Sequence, residues 1–209
     1  MGLTQITSNA WVIADFLTPT ECLELRHLSD ATGFADAGVR TRSGETAMPH
    51  IRNNERAMVK DSAWVERIWS RLAPLPLPEV NARLAVALPR QLRFYKYHPG
   101  QRFKIHKDGA WQEAGLRSEL TLLVYLNDGF EGGATRFKDR EVVPATGTAL
   151  LFLHDTWHEG AIVEVGTKYV LRSDVLYAGP AVRVRRDDRS ARCNTIRSAA
   201  RADDDRIPR

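Results

Sequence analysis

The chain has 209 residues, 43% hydrophobic and 27% charged, which suits a single soluble domain with a sizeable core. The absence of an 18-residue apolar run argues against a spanning helix and a membrane partner. The net charge of +4 sits in residues 183–209, which hold nine Arg and five Asp; the other 182 residues carry 21 basic and 21 acidic side chains. That neutrality disfavours a nucleic-acid surface on the body of the protein.

The opening MGLTQITSNAW lacks the basic and apolar segments of a secretion signal, and Ile6 stands where a myristoylation pattern requires Ser or Thr. Cys22 and Cys193 are isolated, with no CxxC. Neither a disulfide framework nor a thiolate metal site is expected, and the pattern suits the cytoplasm.

In chain order, WVIADF predicts a short strand. Thr18, Pro19 and Glu21 form a capping box that opens a helix reaching about Ala31, with Leu23, Leu25 and Leu28 on its apolar face. A polar stretch, GVRTRSGETAMPHIRNNERAM, reads as a long loop, a class of segment that is often functional. Asp61 then caps a second helix, with Val65, Ile68, Trp69 and Leu72 at helical spacing, and Pro74, Pro76 and Pro78 stop it. From about Arg90 short β-rich segments follow one another: QLRFYKY, RFKIH, ELTLLVYL, ATRF, TALLFL, AIVEV and KYVLRSDVLY, separated by Gly-containing turns. This texture predicts a sandwich or barrel, with the helices as a supporting layer. The expected organisation is one domain over residues 1–182, with helical support in 1–89 and a β core in 90–180. An Arg/Asp-rich flexible tail over 183–209 follows, too poor in large apolar residues to bury a core.

Within RFKIHKDGAW, His106 and Asp108 lie two apart, so on a strand both side chains face one side and Lys107 faces the other. Two imidazoles and one carboxylate on one face would bind iron(II) and leave open positions for a cosubstrate and oxygen. The third ligand is His158, in HDTWHEGA; His154, four residues earlier, competes for the role. His27, in a helix, and His50 and His98, in loops, are read as structural. Lys168 follows His158 by ten residues on a strand. A cation aimed into a barrel requires an anion, so Lys168 implies an acidic ligand. Arg172 shares that strand face and is expected to neutralise a second carboxylate, of substrate or of a protein acid such as Glu119.

These residues are similar, in order and spacing, to the iron(II)/2-oxoglutarate-dependent dioxygenases, and most specifically to their prolyl 4-hydroxylase-like branch. Tyr97 precedes His106 by nine residues with Gly100 between them. Residues 131–137 read EGGATRF, and His158 is followed by Gly166-Thr167-Lys168. The resemblance covers residues 92–177. It implies a double-stranded β-helix, or jelly roll, buttressed by helices. It also implies iron(II) held by His106, Asp108 and His158, with 2-oxoglutarate bound by Lys168 assisted by the hydroxyls of Thr135 and Tyr97. O2 would be the oxidant and ascorbate a stimulant. Because related halogenases lack the carboxylate that Asp108 supplies, the implied reaction is hydroxylation of an unactivated C–H bond with release of succinate and CO2. The substrate would be a prolyl residue, a free amino acid or a related small metabolite.

Trp111 is a candidate pocket wall. Arg52 and Asn54, in the polar stretch, are candidates to close over a polar or carboxylate-bearing substrate. Two other readings compete. One is an oxygenase that demethylates nucleic acid or protein lysine and docks through the Arg-rich tail. The other is a jelly-roll module that binds without catalysis.

Overall fold

A computed structural model describes residues 2–41 and 44–179. The Arg/Asp-rich tail and Cys193 lie outside the described residues. The architecture is mainly β: a double-stranded β-helix with two helices on one face.

A large antiparallel sheet runs in the order Thr4–Thr7, Ala10–Ile13, Ala149–Leu153, Leu116–Tyr125, Lys168–Ala178, Gln91–Tyr97, Glu55–Lys60 and Ala35–Asp36. A smaller sheet of Glu141–Val142, Thr135–Phe137, His158–Gly160 and Phe103–His106 faces it. Period-two alternation gives the large sheet two different faces. Leu92 and Phe94, Leu120 and Leu122, and Leu171 join one apolar cluster that includes Cys22, Leu25, Ile68 and Leu72 of the helices. Their strand neighbours Tyr95 and Tyr97, Tyr125, and Val170 join a second cluster with Phe137 and Val163, between the sheets. The functional side chains arise on this inner face.

Helix α1, Pro19–Thr32, starts where the capping box placed it. Thr18 Oγ1 accepts from the Glu21 amide at 3.2 Å, and the Glu21 carboxylate accepts from the Thr18 amide at 2.9 Å. Glu21 is also gripped by Arg71 of helix α2, Ser62–Leu72, at 2.6 and 2.8 Å. Leu23 does not join the apolar face and is 46% exposed; Cys22, Leu25 and Ser29 are the buried positions. Asp61 caps α2 by accepting from the Trp64 amide at 3.0 Å.

The polar stretch between the helices is not one long loop. It contains a short hairpin, Val39–Thr41 with Gly44–Thr46, and the strand Glu55–Lys60, which pairs along its whole length with Gln91–Tyr97. Only Ala57 and Val59 of that strand are buried, so its single apolar face is too short to stand out among charged neighbours. Among the described residues no helix is long and apolar enough to cross a membrane.

Candidate metal and cosubstrate site

The two candidate imidazoles are neighbours because of strand register. His158–Gly160 pairs antiparallel with Phe103–His106, with His158 directly opposite His106. Their ring centroids are 4.2 Å apart, His106 stacks on Phe103 at 3.5 Å, and His158 leans on Phe152 at 4.4 Å. Asp108 is not on the same strand as His106, which ends the pairing; it lies two residues beyond, in irregular backbone tied by its amide to the His154 carbonyl at 3.0 Å. The simple alternation expected of a continuous strand is thus replaced by a local anchor. The outcome still brings the three side chains together: one ligand atom from each of His106, Asp108 and His158 lies within 4.8 Å of the others.

Their protonation suits a cation. His106 Nδ1 faces the Lys104 carbonyl at 2.7 Å and His158 Nδ1 the Thr156 carbonyl at 2.9 Å. A carbonyl only accepts, so each Nδ1 carries the proton and each Nε2 presents its lone pair to the site. Burial, reinforced by the neighbouring His158, lowers the His106 pKa to about 3, and burial likewise lowers that of His158. Burial alone would raise the Asp108 pKa; the Arg172 guanidinium and the two imidazoles outweigh it and keep the carboxyl ionised. Two neutral imidazoles and a carboxylate on one face are the donor set of a mononuclear iron(II) site.

His154 is not part of that set. Its Nε2 is 2.7 Å from Ser118 Oγ and its Nδ1 2.9 Å from Thr121 Oγ1. Thr121 in turn donates to Asp108 Oδ2 at 2.6 Å, so His154 buttresses the carboxylate from behind. Arg172 does not reach Glu119, which pairs with Arg83 and Arg117; it forms an ion pair with Asp108 Oδ1 at 2.9 Å and donates to Asp174 at 3.5 Å. Its neighbour across the sheet is Arg93, also bound to Asp174. Lys107 turns away to pair with Asp155 above the Trp157 ring.

One inner pocket is lined by the triad together with Tyr97, Thr135 and Lys168. Lys168 stands opposite Tyr97 in register, is 3% exposed, and passes between the rings of Tyr97 and Tyr125. Its Nζ donates to the Gly133 carbonyl at 2.5 Å, and no ion-pair partner is found among the described residues. Burial lowers its pKa to about 7. The EGG segment makes that contact possible. At Gly132, with φ +74°, a Cβ would sit 2.4 Å from the Ile162 carbonyl oxygen; at Gly133, with φ +66°, it would crowd Phe130 and Lys168 itself. Thr135 Oγ1 accepts from the Tyr125 hydroxyl at 2.8 Å, leaving its own proton to donate into the pocket. A buried ammonium and a triad that line one small pocket fit a dicarboxylate whose other end approaches a metal.

Beyond the triad a second, wider cleft opens, lined by Arg52, Trp111 and Trp157 among others. Asn54 is not at its surface: it is fully buried and accepts from Arg52 Nε at 2.7 Å. Thr121 and Tyr125 are the contributors that motif spacing does not reveal. Period-two counting from Tyr97 and Lys168 reaches Tyr95 and Arg172, whereas nothing local marks Thr121.

A jelly roll with this donor set at its mouth is the arrangement expected of a mononuclear non-haem iron oxygenase. Residues 92–173 match the family described as the 2OG-Fe(II) oxygenase superfamily. A putative prolyl 4-hydroxylase of Acanthamoeba polyphaga mimivirus is 26% identical over 155 residues, covering 68% of this chain; the chain spans 59% of that relative's length. The fold is similar to the viral collagen prolyl hydroxylase of Paramecium Bursaria Chlorella virus-1, solved as its 2OG complex (TM-score 0.61, 20% identity, 81% of this chain and 96% of that one). It is equally similar to a Pseudomonas putida prolyl-4-hydroxylase (TM-score 0.61, 18% identity, 81% and 94%). A Trichoplax adhaerens prolyl hydroxylase in complex with a hypoxia inducible factor peptide fragment matches with TM-score 0.61, 17% identity, and 81% and 84% coverage. Residues 92–173 thus carry the match to the 2OG-Fe(II) oxygenase superfamily, a family whose cofactors are iron(II) and 2-oxoglutarate, and the wider likeness of the chain is to prolyl 4-hydroxylases.

Proposed function

We propose that this protein hydroxylates an unactivated C–H bond of a prolyl residue, a free amino acid or a related small metabolite. The carrying observation is that one pocket holds both a converging His-Asp-His set and a buried lysine that has no anionic partner among the described residues. The overall reaction inserts one atom of O2 into the C–H bond and places the other in succinate as 2-oxoglutarate loses CO2. When bound, the iron and 2-oxoglutarate supply the oxidising power that no side chain has.

The chain supplies the geometry. His106, Asp108 and His158 would hold the iron through Nε2, a carboxylate oxygen and Nε2. Lys168 would pair with the distal carboxylate of 2-oxoglutarate, with Thr135 Oγ1 donating beside it. Tyr97, whose phenol is pushed up to about 12 by burial, stays protonated and able to donate there too. Thr121 and Arg172 fix the two oxygens of Asp108, so the carboxylate cannot swing away from the imidazoles.

The test is a substrate screen with iron(II), ascorbate and 2-oxoglutarate, reading succinate and searching by mass for a product heavier by one oxygen. The expected result is slow succinate release without substrate, accelerated by an accepted amino acid or prolyl peptide. If no iron binds and no succinate forms under any condition, the protein is a jelly-roll binding module instead.

A further inference from the structure

The outer cleft has an unusual charge balance. Its lining contains Arg52, Arg56, Arg93, Arg172 and Lys107, and its only acid among the described residues is Asp108, already committed to the triad. Lys107 is neutralised by Asp155, Arg93 by Asp174, and Arg172 by Asp108 and Asp174. Arg52 differs. It is 6% exposed, it donates through Nε to the neutral amide of Asn54 and through Nη1 to the Gly38 carbonyl at 3.5 Å, and its Nη2 is buried with no hydrogen-bond partner among the described residues. A buried guanidinium with no carboxylate beside it among the described residues is costly, and its retention needs a reason.

Arg52 is also held close to the chemistry. It forms an isolated β-bridge with Phe103, extending the sheet that carries His106. Its guanidinium stacks 4.4 Å over the Tyr95 ring and 4.6 Å over Phe103, and Phe103 stacks 3.5 Å from the His106 ring. Two ring spacings therefore separate the cation from an iron ligand. Three guanidiniums converge on Tyr95: those of Arg52, Arg93 and Arg172. Burial alone would raise the Tyr95 pKa, but their charges bring it down to about 7. Loading the triad with a dication takes up part of the Asp108 charge and makes this corner more positive still.

We propose that Arg52 anchors a carboxylate of the primary substrate, a few bonds from the C–H bond that reacts. This inference rests on the dioxygenase reading and narrows it. The substrate is a free amino acid, a similar small carboxylic acid or the free C-terminus of a peptide, and not an internal residue of a polypeptide. Lys168 cannot serve this role, because it lines the inner pocket and not the cleft.

The experiment is calorimetric titration of the full chain loaded with Mn(II) and 2-oxoglutarate. The probes are the L-amino acids, their carboxamides, and prolyl peptides with free or amidated C-termini. At least one acid is expected to bind at least tenfold more tightly than its own amide, and its identity separates a metabolite from a peptide terminus. In Arg52→Met and Arg52→Gln the acid-to-amide ratio should fall towards one. Because the ratio is internal to each protein, it survives a general loss of affinity. The inference is overturned if amides bind as well as acids, if the ratio persists in both variants, or if only amidated peptides or no probes bind. Failure of Mn(II) and 2-oxoglutarate to bind the unaltered chain overturns the dioxygenase reading itself, and that step is measured before any probe is added.

Discussion

The two ends of the inner pocket are built on opposite principles. At the metal end every donor is pinned by the protein: each Nδ1 by a carbonyl, Asp108 by Thr121 and Arg172, and Thr121 by His154. At the other end Lys168 has one backbone carbonyl and two aromatic rings for company, and burial lowers its pKa to about 7. The first end is preorganised to receive a cation without moving. The second buries an amine that no carboxylate pairs with among the described residues, so an incoming anion would gain an ion pair without breaking one.

Breaking the metal end should have the largest effect. His158→Ala and Asp108→Ala are expected to abolish both iron binding and 2-oxoglutarate turnover. His154→Ala should retain iron, because both its ring nitrogens are already occupied by hydroxyls. Metal content by mass spectrometry of the purified variants checks this. Iron lost from His154→Ala and kept by His158→Ala would reverse the assignment.

Breaking the lysine end should leave the metal in place and raise the requirement for 2-oxoglutarate. Removing one partner of a buried charge pair costs about 2–5 kcal/mol, so Lys168→Met should raise KM for 2-oxoglutarate by roughly thirtyfold or more at unchanged iron content. The same lysine predicts a pH dependence. Its pKa of about 7 in the free protein would rise once a carboxylate is paired with it. Below pH 7 it is already charged and affinity is flat; above pH 7 binding must take up a proton, and affinity should fall by up to about tenfold per pH unit. Titrations of 2-oxoglutarate from pH 6 to 9 should show this bend in the unaltered protein and lose it in Lys168→Met.

The same contrast explains what could be read from the chain alone. Metal and cosubstrate chemistry tolerates few residue types, so His106, Asp108, His158 and Lys168 stand out by identity and spacing. The capping box at Thr18 and the run of short strands are legible for a similar reason, since local geometry dictates residue choice. The supporting interactions are not local. Thr121 lies 13 residues from Asp108 and Asp174 81 residues from Arg93, and their pairing depends on the register of the central strands. The strand Glu55–Lys60 was hidden because burying only Ala57 and Val59 is enough to hold it against its neighbour. Arg52, placed in a loop by its polar surroundings, instead sits wedged between two rings.

The smallest effect should come from the helical layer, remote from both ends of the pocket. Glu21 joins the two helices: it closes the Thr18 cap and receives both terminal nitrogens of Arg71. Those bonds, led by that from Arg71 and opposed by partial burial, lower its pKa from 4.5 to about 2. A depressed carboxylate pKa means that the folded chain resists protonation more than the unfolded one. The stabilisation is therefore complete above pH 4.5 and lost as pH falls from there towards 2. Glu21→Gln removes the charge but keeps the shape, and should cost about 1–3 kcal/mol in denaturant unfolding at pH 7. The deficit should shrink towards pH 3, where the unaltered protein is losing the same interaction. KM for 2-oxoglutarate should not change, because the helices touch the outer face of the large sheet and the pocket lies on the inner one. A deficit that stays constant down to pH 3 would show that Glu21 acts through packing and not through its charge.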